Sequence, residues 1–537
     1  MTEHSSSSRL AFWLPLVVLC LAQFLASADN VTLSIATRAL MNDLGASMTQ
    51  VSTANTMYPL VAGTFMIAGG MLGGVIGWRR NFHLGCLIFL SAELCATLSP
   101  SINVFTWGAR ILAGIGGSFM IPSVFGLITG LYSGRQRAMA FGALGAASGV
   151  SFALGPIVCG ALLDTLGWRW AFGVMGILLI IILLCSLLIK EPKQSGQPIR
   201  FDMPGFILAT VGLFLVIFGI LQISTWGLLT PFNPPFTLFS LSPALFLVAA
   251  GLVILWLMLR WERIREARTG SALVPRAFLH TPQVRAGLYL TAYIFFAYSS
   301  GIFAVVSFSQ VVIGLSAIQT GWLIVPFALS LACCSLGLPV VLHHRKPRRE
   351  CRIGLILGIV GALVTAAGIR EQSFSLALMT LGLCFIGASM GIIAANAPYV
   401  VTSGLVEKEA RQSGGIQAAA RDIGQALGIA LVSMVMLTTL TMSMKNQSQQ
   451  VDLSLQTRQK VQQMTVIPYL GDKNFNELMG KAGVSQNDLP ALTRVYQKSR
   501  ARVTKAGLLS MVVITLLFLL GTKSLPASGQ EERKVKA

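Results

Sequence analysis

Charged side chains are scarce in this chain. Asp, Glu, Lys and Arg make up 11% of its 537 residues, against roughly 25% in soluble globular proteins, and the mean hydropathy is +0.71. That shortage excludes a soluble multi-domain enzyme, which needs polar surface this chain does not have, and implies an integral membrane protein. Histidine is also rare, with five copies, and none stands where a metal site would need one. The nine cysteines form no CxxC or CxxxC pair and avoid the polar segment 441–504, so neither a disulfide scaffold nor a zinc site is supported. No GxxxxGK[ST] phosphate loop occurs, so the chain does not hydrolyse ATP by that route. An ion gradient has to supply any energy it uses.

What is abundant is apolar length. Fourteen apolar stretches near the bilayer-spanning length of about 20 residues recur between residues 11 and 522. The net charge of +20 suggests nucleic acid as a partner, but its distribution points elsewhere. With the N-terminus inside, cytosolic segments hold 25 of the 40 Lys and Arg, and the short outer loops hold only Arg38, Arg169 and Arg370. This asymmetry is the positive-inside pattern; it places both termini in the cytosol and makes the lipid bilayer, not nucleic acid, the partner. Arg9, an apolar run and Ala26-Ser27-Ala28 imitate a secretory signal peptide. Cleavage there would leave thirteen spans and invert the charge pattern, so the first span is read as retained. Segment 441–504 is polar, carries no catalytic motif, and is expected on the outer face.

Charges inside the apolar stretches are the candidate functional residues. Asp29 lies in the first stretch; a charge at the bilayer centre costs at least about 2.5–3.5 kcal/mol, so such residues are usually functional. Burial also makes a carboxyl a candidate proton carrier. Arg110 lies ~9 Å inside the outer end of the fourth stretch, counting ~1.5 Å per residue. Glu93 in the third is at similar depth, so either acid is within reach of Arg110. Arg421 and Asp422 lie near the cytosolic end of the thirteenth, with gating and binding roles both open. Gln23, Ser27, Asn30 and Ser34 form a polar stripe on the first stretch. Tyr293, Phe296, Tyr298, Ser299, Ser300 and Phe303 form a mixed aromatic and polar set on the ninth, and aromatic faces attract large cations. In segment 138–163, small residues at Gly142, Gly145, Gly149, Ala153, Pro156 and Gly160 share one helix face and permit close helix approach.

Gly149, Gly155-Pro156 and Gly160, with Cys159 in place of one glycine, resemble the antiporter signature of the major facilitator superfamily. Trp168-Arg169-Trp170-Ala171-Phe172 follows where its fourteen-helix drug:proton antiporter branch places such a motif. Asp202 with Gly205, the Phe308-to-Gly314 run with Gln310, Gly321, Pro326, Arg421, Gly424 and Gly428 continue the match in order. The resemblance implies an all-α fold of 14 transmembrane helices. Residues 1–190 form one six-helix bundle and 286–537, with a periplasmic loop 441–504, form the other; two extra helices lie in the linker 191–285. It implies alternating access about a central site. Asp29 takes the place of the family's first-helix aspartate and Arg110 that of its buried fourth-helix arginine. The clearest departure lies between helices 2 and 3, where Gly74 and Val75 replace an Asp-Arg pair used by the cytosolic gate of relatives. Arg79 and Arg80 remain from that motif.

Together these readings imply a proton-coupled exporter of bulky amphipathic or cationic compounds in a bacterial inner membrane. The proton gradient replaces any cofactor, and the cargo is a small molecule. Asp29, Arg110 and Glu93 are expected at the proton-coupling site. Gln23, Asn30, Tyr293, Phe296, Tyr298 and Gln310 are expected around the cavity, and Arg79, Arg80, Arg421 and Asp422 at the gate. A periplasmic adaptor is left open as a further partner. Two alternatives stand: a dedicated exporter of one endogenous metabolite such as a siderophore, and a transporter-like sensor that has lost its cycle.

Overall fold

The computed structural model describes the chain apart from residues 1–2, 47, 193–201, 229–230, 232–233, 235, 238–240, 270–271, 342–345 and 527–537. A bilayer offers the backbone no water to bond, so apolar stretches satisfy their own N–H and C=O groups as helix. The order is α1 (Glu3–Asp43), α2 (Met48–Ile76), α3 (Trp78–Thr97), then a wide π-type stretch Val104–Arg110 that runs into α4 (Ile111–Leu131). There follow α5 (Gly134–Thr165), α6 (Trp168–Ser186), α7 (Met203–Trp226), α8 (Pro243–Thr269) and the short α9 (Arg276–His280). Next come α10 (Pro282–Ser307), which continues into a second π-type stretch Phe308–Val312, α11 (Ala317–Val341), α12 (Pro347–Gly368) and α13 (Leu376–Ser403). The chain closes with α14 (Glu407–Gln450), α15 (Leu455–Gln463), α16 (Asp472–Lys481) and α17 (Leu489–Gly521). Among the described residues, eleven helices are long and apolar enough to cross a membrane. The chain is an all-α, multi-span protein.

The packing repeats itself. Within the first half, α1 packs on α4, α5 and α6, α2 on α4, and α3 on α4 and α6. Within the second, α10 packs on α13, α14 and α17, α11 on α13, and α12 on α13 and α17. Contacts between the halves repeat too: α5 meets α11 and α13, while α14 meets α2 and α4. The α7–α8 hairpin leans on α2 and α14.

Short motifs acquire structural reasons here. Gly77 and Gly167, at φ of 103° and 85°, adopt a conformation that side-chain-bearing residues rarely reach, and so reverse α2 into α3 and α5 into α6. Trp168 donates from Nε1 to Asp43 at 2.8 Å and Arg169 pairs with the same carboxylate, pinning the end of α1 to the start of α6. Asp202 caps α7 by accepting from the Gly205 N–H at 3.1 Å, accepts from Trp261 Nε1, and pairs with Arg265.

Segment 441–504 is less loop than its polarity suggests. At ~1.5 Å per residue, the 44 residues of α14 extend ~66 Å, well past a ~30 Å hydrocarbon core. Together α14, α15, α16 and the first turns of α17 fold into a cap. Phe475 stacks on Tyr496 with centroids 3.7 Å apart. Arg500, buried beneath, donates to the Leu470 carbonyl at 2.8 Å and pairs with Asp472. Asp488 ties α15 to α17, accepting from the Ser454 and Thr457 hydroxyls at 2.5 and 2.6 Å.

Those hydroxyls hold the Asp488 carboxyl below the usual carboxylate range. The tie is therefore expected to persist on acidification to pH 5 and to fail only below about pH 4. Asp488→Ala is expected to speed tryptic cleavage after Arg458 and Lys460 several-fold at neutral pH. Unchanged cleavage would remove Asp488 from the cap's stability.

Candidate functional site

Asp29 on α1 and Arg110, the last residue of the π-type stretch before α4, are fully buried and meet face to face. Arg110 donates from Nη1 to Oδ1 at 2.8 Å and from Nη2 to Oδ2 at 2.9 Å. This two-pronged geometry is the strongest form of guanidinium–carboxylate pairing. The guanidinium carbon lies 5.2 Å from the Tyr58 ring centroid on α2. Glu93 on α3 is buried and interacts electrostatically with both Asp29 and Arg110. Among the described residues, neither Glu93 oxygen meets a donor, and Arg110 Nε and Tyr58 Oη lack partners. Two acids and one base thus share a single dry site, a composition that carries one uncompensated negative charge unless a proton is added.

A cavity lies between the two halves, beside this cluster rather than around it. It measures about 60 Å³, room for a few waters but far below the roughly 300–1,000 Å³ of a drug-sized site. Three rings line it: Phe125, Phe141 and Phe295. Gln23, Ser148, Thr291, Gln417 and Arg421 supply its polar groups. Gln23 donates from Nε2 to the Ser148 hydroxyl at 3.1 Å. Arg421 lies with its guanidinium carbon 5.3 Å from the Phe295 centroid and donates from Nε to Asp422 Oδ1 at 3.0 Å.

Of the residues expected around the cavity, Gln23 lines it, and the side chain of Asn30 lies outside the described residues. Tyr293 and Phe296 instead turn into the second half's own core, 5.1 and 6.1 Å from the Phe518 ring. Tyr298 packs 6.1 Å from Phe327, and Gln310 is exposed in the second π-type stretch. On α10 the cavity face is Thr291, Ile294 and Phe295. The aromatic set pointed to the right helix, but the helix's rotation is fixed by Phe518 and Ser389 on neighbouring helices.

The expected gate also divides. Arg79 donates from Nη2 to the Leu187 carbonyl at 2.8 Å, while Glu191 accepts the Trp78 and Arg79 N–H groups at 2.8 and 2.9 Å. Arg80 and Val75 line a surface recess of about 590 Å³ with the same residues. Among the described residues, this cluster ties α3 to the end of α6 inside one half. Contact across the halves comes from glycine. A Cβ on Gly70 of α2 would lie 2.9 Å from the Gly415 Cα on α14, and one on Gly414 would lie 2.6 Å from the Pro122 carbonyl oxygen on α4. Sequence reading missed this seam; the Gly414-Gly415 pair marks a place of close approach but not the helix that approaches it. Asp422 stands next to it, its Oδ2 3.4 Å from where a Gly63 Cβ would be.

The antiporter-type face of α5 packs the same way against α11. Cβ atoms on Gly149 and Gly160 would meet Leu331 at 2.6 Å and Ile318 at 3.2 Å. Gly155 is buried, the Pro156 side chain lies outside the described residues, and α5 runs on through both.

The family model for the Major Facilitator Superfamily matches residues 19–429. The chain belongs to that superfamily. Its relatives include a protein named "Probable actinorhodin transporter" from Streptomyces coelicolor, 28% identical, with 78% of this chain and 72% of that one covered. A puromycin resistance protein from Streptomyces alboniger is 28% identical over 79% and 81% of the two chains, and the multidrug transporter protein MdtP of Bacillus subtilis is 26% identical over 78% and 74%. In solved structures the same fold occurs in the human organic anion transporter MFSD10, with TM-score 0.58, 13% identity and 95% and 99% coverage. It also occurs in the proton:xylose symporter XylE, with TM-score 0.55, 12% identity and 96% and 97% coverage. This major facilitator protein is a transporter of the efflux type and not an enzyme.

Removing one member of a buried pair costs about 3–5 kcal/mol, so Arg110→Ala is expected to lower the thermal unfolding midpoint sharply. Glu93→Gln removes a carboxylate without a donor and is expected to leave the midpoint unchanged or raise it. Equal losses in the two variants would mean that Glu93 is held by a partner of its own.

Proposed function

We propose that this major facilitator protein is a proton-coupled exporter of the fourteen-helix drug:proton antiporter branch, acting on bulky amphipathic compounds in a bacterial inner membrane. The observation that carries this reading is the buried cluster of Asp29, Glu93 and Arg110: two acids and one base, so that one added proton restores neutrality. Asp29 and Glu93 share that proton, and Arg110 sets which acid keeps its charge. A change in the Arg110–Asp29 distance as the halves rock changes the affinity for the proton, because an opposite charge within about 4–6 Å favours the ionised acid.

The repeated packing supports two six-helix bundles, α1–α6 (within 1–190) and α10–α14 with α17 (within 286–537), with α7 and α8 as additions in 191–285. In this reading α1, α3 and α5 also cross the bilayer, giving fourteen spans, with both termini in the cytosol as the basic loops require. The small cavity is then a closed stage of alternating access. Cytosolic closure rests on the seam of Gly70 and Gly415, which takes over from the missing charges at Gly74 and Val75. Energy comes from the proton gradient. Among the described residues no His, Cys, Asp and Glu cluster could hold a metal ion. Relatives named for actinorhodin, puromycin and tetracenomycin C support a bulky cargo, and a dedicated exporter of one such metabolite remains the second reading on the same ground.

In acidified everted vesicles, adding a transported compound is expected to release protons. Asp29→Asn is expected to abolish that release, and Glu93→Gln to shift its pH dependence. Release that survives both substitutions would move coupling away from the cluster. For the seam, Gly415→Val in a cysteine-free background carrying Ala418→Cys is expected to speed labelling by a membrane-impermeant maleimide from the cytosolic side. Labelling no faster than with Gly415 in place would separate the seam from closure.

A further inference from the structure

Among the described residues lining the cavity between the halves, Arg421 is the single ionisable side chain. Asp29 and Glu93, the acids that would attract a cation, are buried in the first half and are not part of that lining. The other polar groups, Gln23, Ser148, Thr291 and Gln417, are uncharged. The rest of the wall is apolar, with the faces of Phe125, Phe141 and Phe295 in it.

The Arg421 guanidinium is held so that one end serves the cavity. Asp422, its neighbour in the chain, accepts from Nε at 3.0 Å, and Phe295 lies against the plane. The Asp422 carboxylate itself is not in the cavity wall. Its Oδ2 is turned toward α2, beside Gly63, and among the described residues has no hydrogen-bond partner. The acid therefore orients Arg421 from behind, and no hydrogen bond from the two Nη groups is made within the described residues. A planar guanidinium with two such donors matches the oxygen pair of a carboxylate or sulfonate, and also pairs with a single phenolate oxygen. The Asp422 carboxylate 3.0 Å from Nε offsets part of its charge, yet the Nη end remains the positive pole and favours an anion over a cation.

We propose that the cargo is an amphipathic aromatic anion, bound by the Arg421 Nη groups with its rings among Phe125, Phe141 and Phe295. This rests on the exporter reading and narrows it, replacing the cationic expectation drawn from aromatic residues alone. It also fixes the charge balance of transport. Exporting one monoanion while n protons enter moves n + 1 positive charges inward. An inside-negative potential therefore drives the cycle at any n, whereas export of a monovalent cation against one proton is electroneutral.

Fluorescein and rhodamine 6G share a xanthene ring and differ in sign of charge, which makes them a matched pair of probes. Binding to the purified full-length protein, followed by fluorescence polarisation, is expected to be at least about tenfold tighter for fluorescein. Arg421→Gln is expected to abolish that preference and Arg421→Lys to retain part of it. In proteoliposomes, fluorescein efflux is expected to quicken when a potassium diffusion potential makes the interior negative. Rhodamine binding as tight as fluorescein, or fluorescein binding indifferent to Arg421→Gln, would overturn the inference; the wild-type comparison decides the matter even where Arg421→Gln does not fold. The two levels of the reading fail separately. Arg421-dependent fluorescein binding without proton movement by any probe would sink the exporter and keep the anion site. Proton release by rhodamine alone would keep the exporter and sink the anion site.

Discussion

The pairing of Asp29 with Arg110 is the interaction on which the first half depends. Each charge alone in the bilayer would be prohibitively costly, and each is affordable only because the other lies within 3 Å in a two-pronged contact. That mutual requirement fixes the rotation of α1 against α4 and uses the wide turn Val104–Arg110 to bring the arginine to the right height. Glu93 joins the same site without a donor of its own, so the cluster is structurally settled in one pair and chemically unsettled in its third member.

The contacts between the halves are of a different kind. Where α2 and α4 meet α14, glycines let backbones approach to distances that any Cβ would prevent, and where α5 meets α11 they make room for the Leu331 and Ile318 side chains. Such contacts are short-ranged and carry no charge of their own, although Asp422 of α14 is buried beside Gly63 of α2. The arginines of the α2–α3 corner serve a static purpose instead. Arg79 ties α3 to the end of α6, and Arg348 at the start of α12 repeats this by donating to the Lys523 carbonyl at 2.7 Å. The two corners brace corresponding helix pairs and leave the boundary between halves to glycine.

Between these contacts lies the cavity, whose electrical character comes from one residue pair rather than from the acids that stand out in the sequence. Arg421 and Asp422 are adjacent in the chain but point to different surroundings, one to the cavity and one to α2. A helix turns ~100° per residue, which suffices to show the cavity a cation while the counter-charge stays in the wall.

The apolar runs alone imply an all-α, multi-span chain, because a bilayer permits little other backbone structure, and among the described residues eleven helices are long and apolar enough to cross one. The sequence also puts Glu93 and Arg110 at similar depth and Asp29 somewhat deeper, since depth along a helix is a matter of counting residues. It marked the glycine face of α5 for close packing for a similar reason, as spacing along a helix fixes which residues share a face. Tertiary structure alone decided how each helix is turned about its axis and which helices meet. Periodicity gives the angles between side chains on one helix but not the direction of any of them relative to a partner. For that reason Tyr293 and Phe296, expected at the cavity, face Phe518 instead, and Arg79, expected at a gate, bonds within its own half among the described residues. The meeting of Gly70 with Gly415 joins opposite halves of the chain, and no local pattern encodes a contact between residues so far apart.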